Sequence, residues 1–183
     1  MATFASYLLA VIGFVMMAMA VAQTFGSSLR YMYTRPLLIN ALRTSGNQAE
    51  QLCKSEPDTY FGAIGAAIKT AAMIQTRDLK TLQMATGASY DASSQAIVGK
   101  WKTLIGKVKM ALMAAGGAIL VGASSGFPPI LVLILGVVVG IGFLRLYLFK
   151  QEIESCIVRA RAEILPEVDQ SFAAGRYVYP PQR

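Results

Sequence analysis

The sequence predicts an all-α integral membrane protein with three transmembrane helices extended by cytoplasmic helices. Two charge-free windows carry that expectation. Residues 1–29 and 110–144 contain no Asp, Glu, Lys or Arg. A span needs about 20 apolar residues, so the first window holds one helix and the second holds two joined by a tight turn. The third observation is where the charge goes. All 17 basic and 10 acidic residues lie in 30–109 or 145–183. Basic groups accumulate on the cytoplasmic side of a membrane, so both charged segments are assigned to the cytoplasm of a cell inner membrane. The N-terminus and the turn at 126–129 then lie outside. A mean hydropathy of +0.49, with only 15% charged residues, fits the same class, since soluble domains carry roughly 25% charge.

Four segments follow: a first transmembrane helix (1–29), a cytoplasmic helical segment (30–109), a transmembrane hairpin (110–149), and a cytoplasmic helix with an extended tail (150–183). The first helix is expected over 4–25, with Tyr7, Tyr31 and Tyr33 at headgroup level. Ala20-Val21-Ala22 resembles a small-residue cleavage site. No basic stretch precedes it, however, and the apolar run exceeds a signal-peptide core, so it reads as a retained span. Pro36 suits the first turn of a second helix, which Gly46 breaks. Asn47 with Glu50 three residues on reads as a capping-box variant for a short helix through Cys53. Pro57 ends that helix, Asp58 caps the next, and Phe61, Ile64, Ile68, Ala71 and Ala72 keep a helical period there. Asp78 caps another. From 88 to 122 the pattern stays helical, running into the second span at 109–124. Ser125-Gly126-Phe127-Pro128-Pro129 makes the hairpin turn. The third span, 130–149, continues as a helix to about residue 165, and Pro166 stops it.

The inventory narrows the chemistry. The chain has no histidine, which removes the commonest general base and a frequent zinc ligand. Cys53 and Cys156 are far apart and in no CxxC pattern, so they read as small buried apolar residues. No nucleophile–base set and no phosphate-binding glycine motif is visible. The expectation is no catalytic site, no cofactor and no metal. The net charge of +7 does not point to nucleic acid, because Arg30, Arg35, Lys100, Lys102, Lys107 and Lys109 sit at membrane edges rather than in a binding face.

Within the spans, Ala118-xxx-Gly122 and Gly136-xxx-Gly140 are small-residue pairs that let helices approach closely, and they are the candidate packing and oligomer residues. Ser124 and Ser125 end the second span and would stand at the mouth of a pore. Three short spans make little core by themselves, which favours a homo-oligomer in the lipid bilayer. An alternative is a non-conducting structural or assembly protein.

The run Leu37-Leu38-Ile39-Asn40-Ala41-Leu42-Arg43, then Gly46-Asn47-Gln48-Ala49-Glu50-Gln51-Leu52-Cys53, then Pro57 and Tyr60-Phe61-Gly62-Ala63-Ile64-Gly65-Ala66-Ala67-Ile68-Lys69 resembles the MotA/TolQ/ExbB family. The layout is similar to its three-span TolQ/ExbB branch, and the likeness covers about 35–122. It implies an inner-membrane subunit of a proton-driven motor or transport complex, acting as a pentameric stator or channel scaffold. It also implies a single-span partner of the ExbD/TolR kind that carries the membrane aspartate. Where such proteins have a threonine-bearing glycine-rich stretch, this chain has Ala111-Leu112-Met113-Ala114-Ala115-Gly116-Gly117-Ala118.

Overall fold

The computed structural model describes the backbone of residues 2–26, 31–123 and 129–176, and the side chains of 8, 10–25, 31–117 and 136–176. All regular structure among these residues is helical. Seven helices follow in order: α1 (Ala2–Gly26), α2 (Tyr31–Thr44), α3 (Gly46–Ser55), α4 (Tyr60–Ile74), α5 (Leu79–Ala123), α6 (Pro129–Glu163) and α7 (Leu165–Ala173). The all-α expectation is thus met. Among the described residues no helix is long and apolar enough to cross a membrane. The side chains of 1–7, 9, 26–30 and 118–135, much of the two charge-free windows, lie outside those residues.

The chain divides into two compact units. The first is Met1–Ser28 with Lys100–Gln151, and the second is Leu29–Gly99 with Glu152–Arg183. Helices α5 and α6 are each shared between them.

Several helix ends differ from the sequence expectation. Helix α2 starts at Tyr31, so Pro36 lies inside it and removes one backbone bond, to the carbonyl of Met32. Helix α3 is not opened by an Asn47–Glu50 capping box. Its N-cap is Ser45, which makes no side-chain cap. The Ser45 carbonyl already accepts from Gln48 and Ala49, and Glu50 instead pairs with Lys54 at 2.9 Å. Thr59, not Asp58, caps α4. Its hydroxyl accepts from the Phe61 N–H and donates to the Glu56 carbonyl. Asp78 does cap α5, accepting from the Thr81 N–H at 3.1 Å and from the Thr81 hydroxyl. These bonds hold its carboxyl below the usual carboxylate range.

Pro166 ends α6 as expected but also sits in the first turn of α7, where its fixed φ is tolerated. That short helix, carrying buried Leu165, Val168 and Phe172, is not among the expected elements, and the extended tail expected over 176–181 lies, apart from Arg176, outside the described residues. The positive φ of Gly175 (68°) turns the chain beyond it, with the Gly175 and Arg176 N–H groups donating to the Phe172 and Ser171 carbonyls.

In the second unit α2 packs on α3, α3 on α4, and α7 on both α2 and α4. Tyr60 is the hub. It is buried, stacks on Phe61 with centroids 4.6 Å apart, meets Tyr31 edge-on at 5.3 Å, and shares a 2.7 Å hydroxyl bond with Thr34. Helix α4 approaches its neighbours closely because its inner face is small. A Cβ on Gly65 would lie 3.0 Å from the Cβ of Cys53. Gly62 is tighter, since a Cβ there would sit inside the Pro57 carbonyl.

Two glycines in this unit therefore respond oppositely to alanine. Gly62→Ala forces backbone against backbone and should destabilise the fold by about 1–3 kcal/mol. Gly87 lies in the interior of α5 with nothing within 4 Å of an added Cβ, so Gly87→Ala should stabilise by about 0.5–1 kcal/mol. Chemical unfolding followed by far-UV circular dichroism checks both signs.

Candidate functional site

In the first unit three helix segments share a buried stripe each. On α1 it is Gly13, Met17, Ala20 and Thr24; on α5 it is Trp101, Val108 and Ala115; on α6 it is Gly142, Leu146 and Phe149. Met17, Ala20, Val108 and Leu146 form the centre, with Val21, Leu104, Ile105, Leu112 and Val139 packed around them. Two glycines make this possible. A Cβ on Gly13 would lie 2.7 Å from the Ala115 Cβ and 3.0 Å from the Ala111 carbonyl oxygen. One on Gly142 would lie 2.9 Å from the Met17 sulfur.

The outer surface of this unit is apolar as well. Val11, Met19 and Phe25 on α1, Met110 and Met113 on α5, and Ile141 and Leu144 on α6 are each more than half exposed. The buried hydroxyl of Thr24 is spent locally, donating to the Val21 carbonyl at 2.7 Å. Arg145 lies in α6, one residue beyond the charge-free window. Its guanidinium stands 5.3 Å over the Phe25 ring, a cation–π contact that needs no counter-ion.

The residues singled out from the sequence fall differently from that core. Gly136 and Gly140 are exposed, and an added Cβ at either meets nothing within 4 Å. Among the described residues neither lies in close contact with another helix. The side chains of Ala118 and Gly122, and all of Ser124 and Ser125, lie outside the described residues. The glycines that do bring helices together, Gly13 and Gly142, belong to no GxxxG pair. The signal for Gly13 is the four-three-four spacing of 13, 17, 20 and 24, which marks one helix face.

The second unit carries polar cross-links between α2, α5, α6 and α7. Glu163 accepts from the Tyr31 hydroxyl at 3.2 Å and pairs with Arg35 at 2.7 Å. Arg43 grips Glu167 with two nitrogens, at 2.6 and 3.2 Å, which holds the Glu167 carboxyl below its ordinary range. Arg161 pairs with Asp91 at 2.7 Å. These pairs are half-exposed to exposed and contribute about 0–1 kcal/mol each.

The buried contacts weigh more. Tyr90 donates to the Ile157 carbonyl at 2.7 Å. Asp169, almost fully buried, meets the Thr86 hydroxyl at 2.7 Å, and that hydroxyl is 2.8 Å from the Leu82 carbonyl. Burial pushes the Asp169 carboxyl above its ordinary range, and the Thr86 contact offsets this only in part. Cys53 and Cys156 are both buried free thiols, and burial pushes Cys53 to about 12. Among the described residues no group of His, Cys, Asp or Glu could hold a metal ion.

Two outcomes follow from this geometry. Gly13→Ala should weaken the first unit by about 1–3 kcal/mol, while Gly136→Ala should leave unfolding unchanged within about 0.5 kcal/mol, both read from thermal unfolding in detergent. The Asp169 carboxyl has a raised folded pKa, so its contribution is complete below the unfolded value of about 3.9 and is lost as pH rises through the folded one. The Asp169 component of stability should therefore shrink as pH rises, opposite in sign to the contributions of Asp78 and Glu167, and Asp169→Asn should remove that component.

The chain matches no protein-family model, no curated protein and no solved structure.

Proposed function

We propose that this chain is an oligomeric inner-membrane subunit of the TolQ/ExbB kind, the stator or channel scaffold of a proton-driven motor or transport complex. The observation that carries this is the apolar exterior of the first unit. Side chains such as Val11 (60% exposed), Met110 (72%) and Ile141 (64%) would face water at a cost of roughly 25 cal/mol per Å², and a bilayer removes that cost. In this reading α1 and the apolar ends of α5 and α6 are three spans. The N-terminus is outside, and the polar second unit and the C-terminus are in the cytoplasm. The lysines at 100–109 and Lys150 then lie at the cytoplasmic edge, where anionic lipid favours them.

The scaffold brings no acid of its own to the spans. The buried polar group described there, Thr24, is satisfied by its own helix, and a proton path needs groups that load and release. The titrating group comes from a single-span partner with a membrane aspartate. The same observation favours the second reading, a non-conducting structural subunit, if no such partner exists.

Purified protein in liposomes should pass no more protons than empty vesicles, and flux should appear once a single-span, aspartate-bearing partner is added. Flux from the chain alone would sink the scaffold assignment. In intact cells an impermeant thiol reagent should label Gly126→Cys and not Gln182→Cys. The reverse pattern overturns the orientation.

A further inference from the structure

In the second unit, large apolar side chains at the corner between α4 and α5 stay in the open. Met73, in the last turn of α4, is 80% exposed, and Met84, in the second turn of α5, is 64% exposed. Leu79, which opens α5, is exposed as well. Only four residues, 75–78, separate the two helices. The Ser89 hydroxyl accepts from Thr70 at 2.8 Å and donates to the Ala66 carbonyl at 3.2 Å. The chain therefore doubles back, and the end of α4 stands beside the start of α5. On α5, Leu79, Lys80, Gln83 and Met84 are all exposed at spacings that share one helix face. Leu82 and Thr86 make the buried side.

Basic groups flank these apolar side chains on both helices. Lys69 stands four residues before Met73, and Lys80 four before Met84, so each lysine shares a face with its methionine. Arg77 lies in the linker between the helices. Among the described residues none of these three cations pairs with a carboxylate, although Arg35, Arg43, Lys54 and Arg161 of the same unit all do. Between Asp58 and Asp91 the sole acid is Asp78, and its carboxylate is taken up by the Thr81 N–H and hydroxyl. The corner thus joins exposed methionines to positive charge that the chain itself leaves unmatched.

That chemistry selects an occupant. Methionine is flexible and polarizable, and it suits a surface that receives another apolar side chain. Two adjacent antiparallel helices offer a third a seam to lie along, apolar stripe inward. Unmatched cations on either side call for acidic residues flanking that stripe. A lipid surface is the poorer fit. Residues 69–84 include no Trp, Tyr or Phe, the side chains that anchor a protein at headgroup level. The chain's own last residues fit no better, since 170–183 hold no acid.

We propose that the α4–α5 corner is a docking site for an acidic amphipathic helix of a partner protein. The apolar stripe of that helix rests on Met73, Leu79 and Met84, and its Asp or Glu flanks pair with Lys69, Arg77 and Lys80. The site lies wholly in the second unit and is independent of the membrane reading.

The probe is a synthetic helical peptide of about 18 residues, or about five turns, with leucines along one face and glutamates on both flanks. The reporter is an environment-sensitive dye on Gln83→Cys in the full-length chain, purified in an uncharged detergent. Cys53 and Cys156 are buried and do not compete for the label. The expected result is a saturable blue shift of the dye on adding peptide. Lys69→Glu with Lys80→Glu should weaken binding by about tenfold or more, and so should Met73→Ser with Met84→Ser. Helical circular dichroism should be unchanged in both variants, because all four side chains are exposed. Added salt should weaken binding as well. No shift, equal binding of a peptide with lysine flanks, or equal binding of one with serines in place of the leucines overturns the proposal. Wild-type affinity in either double variant does the same. A blue shift produced by phosphatidylserine vesicles without peptide overturns it in favour of a lipid surface. One that appears on concentrating the chain alone overturns it in favour of a second copy.

Discussion

The constraint behind this structure is that two unbroken helices each carry two kinds of exposed surface. The exposed side of α5 carries Lys100, Lys102, Lys107 and Lys109 and then, within one residue, becomes Met110 and Met113. The exposed side of α6 makes the same change in reverse, from Leu144 and Leu148 to Gln151 and Glu152. A helix satisfies its own backbone whatever surrounds it, so the change of surface is written only in side chains and needs no break in the chain. The glycines at 87, 99 and 106 lie in α5 without interrupting it.

Packing inside the first unit then depends on absence of side chains. Among the described residues these helices bury few polar groups, so the contacts available are mostly van der Waals contacts, which fall off quickly with separation. Gly13 lets α1 close on Ala111 and Ala115, and Gly142 makes room for the thioether of Met17. The second unit is built otherwise. Its aromatic hub around Tyr60 and the buried Tyr90–Ile157 and Thr86–Asp169 bonds fix positions by direction as well as by volume, while its exposed ion pairs set pairing more than stability.

How legible this was depended on the strength of each local signal. The long helices were readable because apolar and charged residues segregate sharply near 110 and 145. The Asp78 cap was readable because a carboxylate before Leu79 has one good use there. The caps at Ser45 and Thr59 lay one or two residues from the sequence assignment. Serine, asparagine, aspartate and threonine are similar caps, and the choice among neighbours is made by tertiary packing. Helix α7 was missed because Pro166 reads as a terminator, although Leu165, Val168 and Phe172 carry a helical period. Among glycines, spacing picked Gly136 and Gly140, which are open, over Gly13 and Gly142, which are crowded. A glycine's role depends on what stands opposite, and the partner helix is distant in sequence.

The chain contains a single tryptophan, and its position has a practical consequence. Trp101 is buried with its ring edge-on to Phe149 at 4.9 Å, on the stretch of α5 that carries Lys100 and Lys102. Its emission therefore comes from one place in the molecule, the α5–α6 contact at the edge of the apolar unit. A label-free fluorescence spectrum reads the wetness and rigidity of that contact directly. Separation of the two helices would register as a shift in one band from one residue.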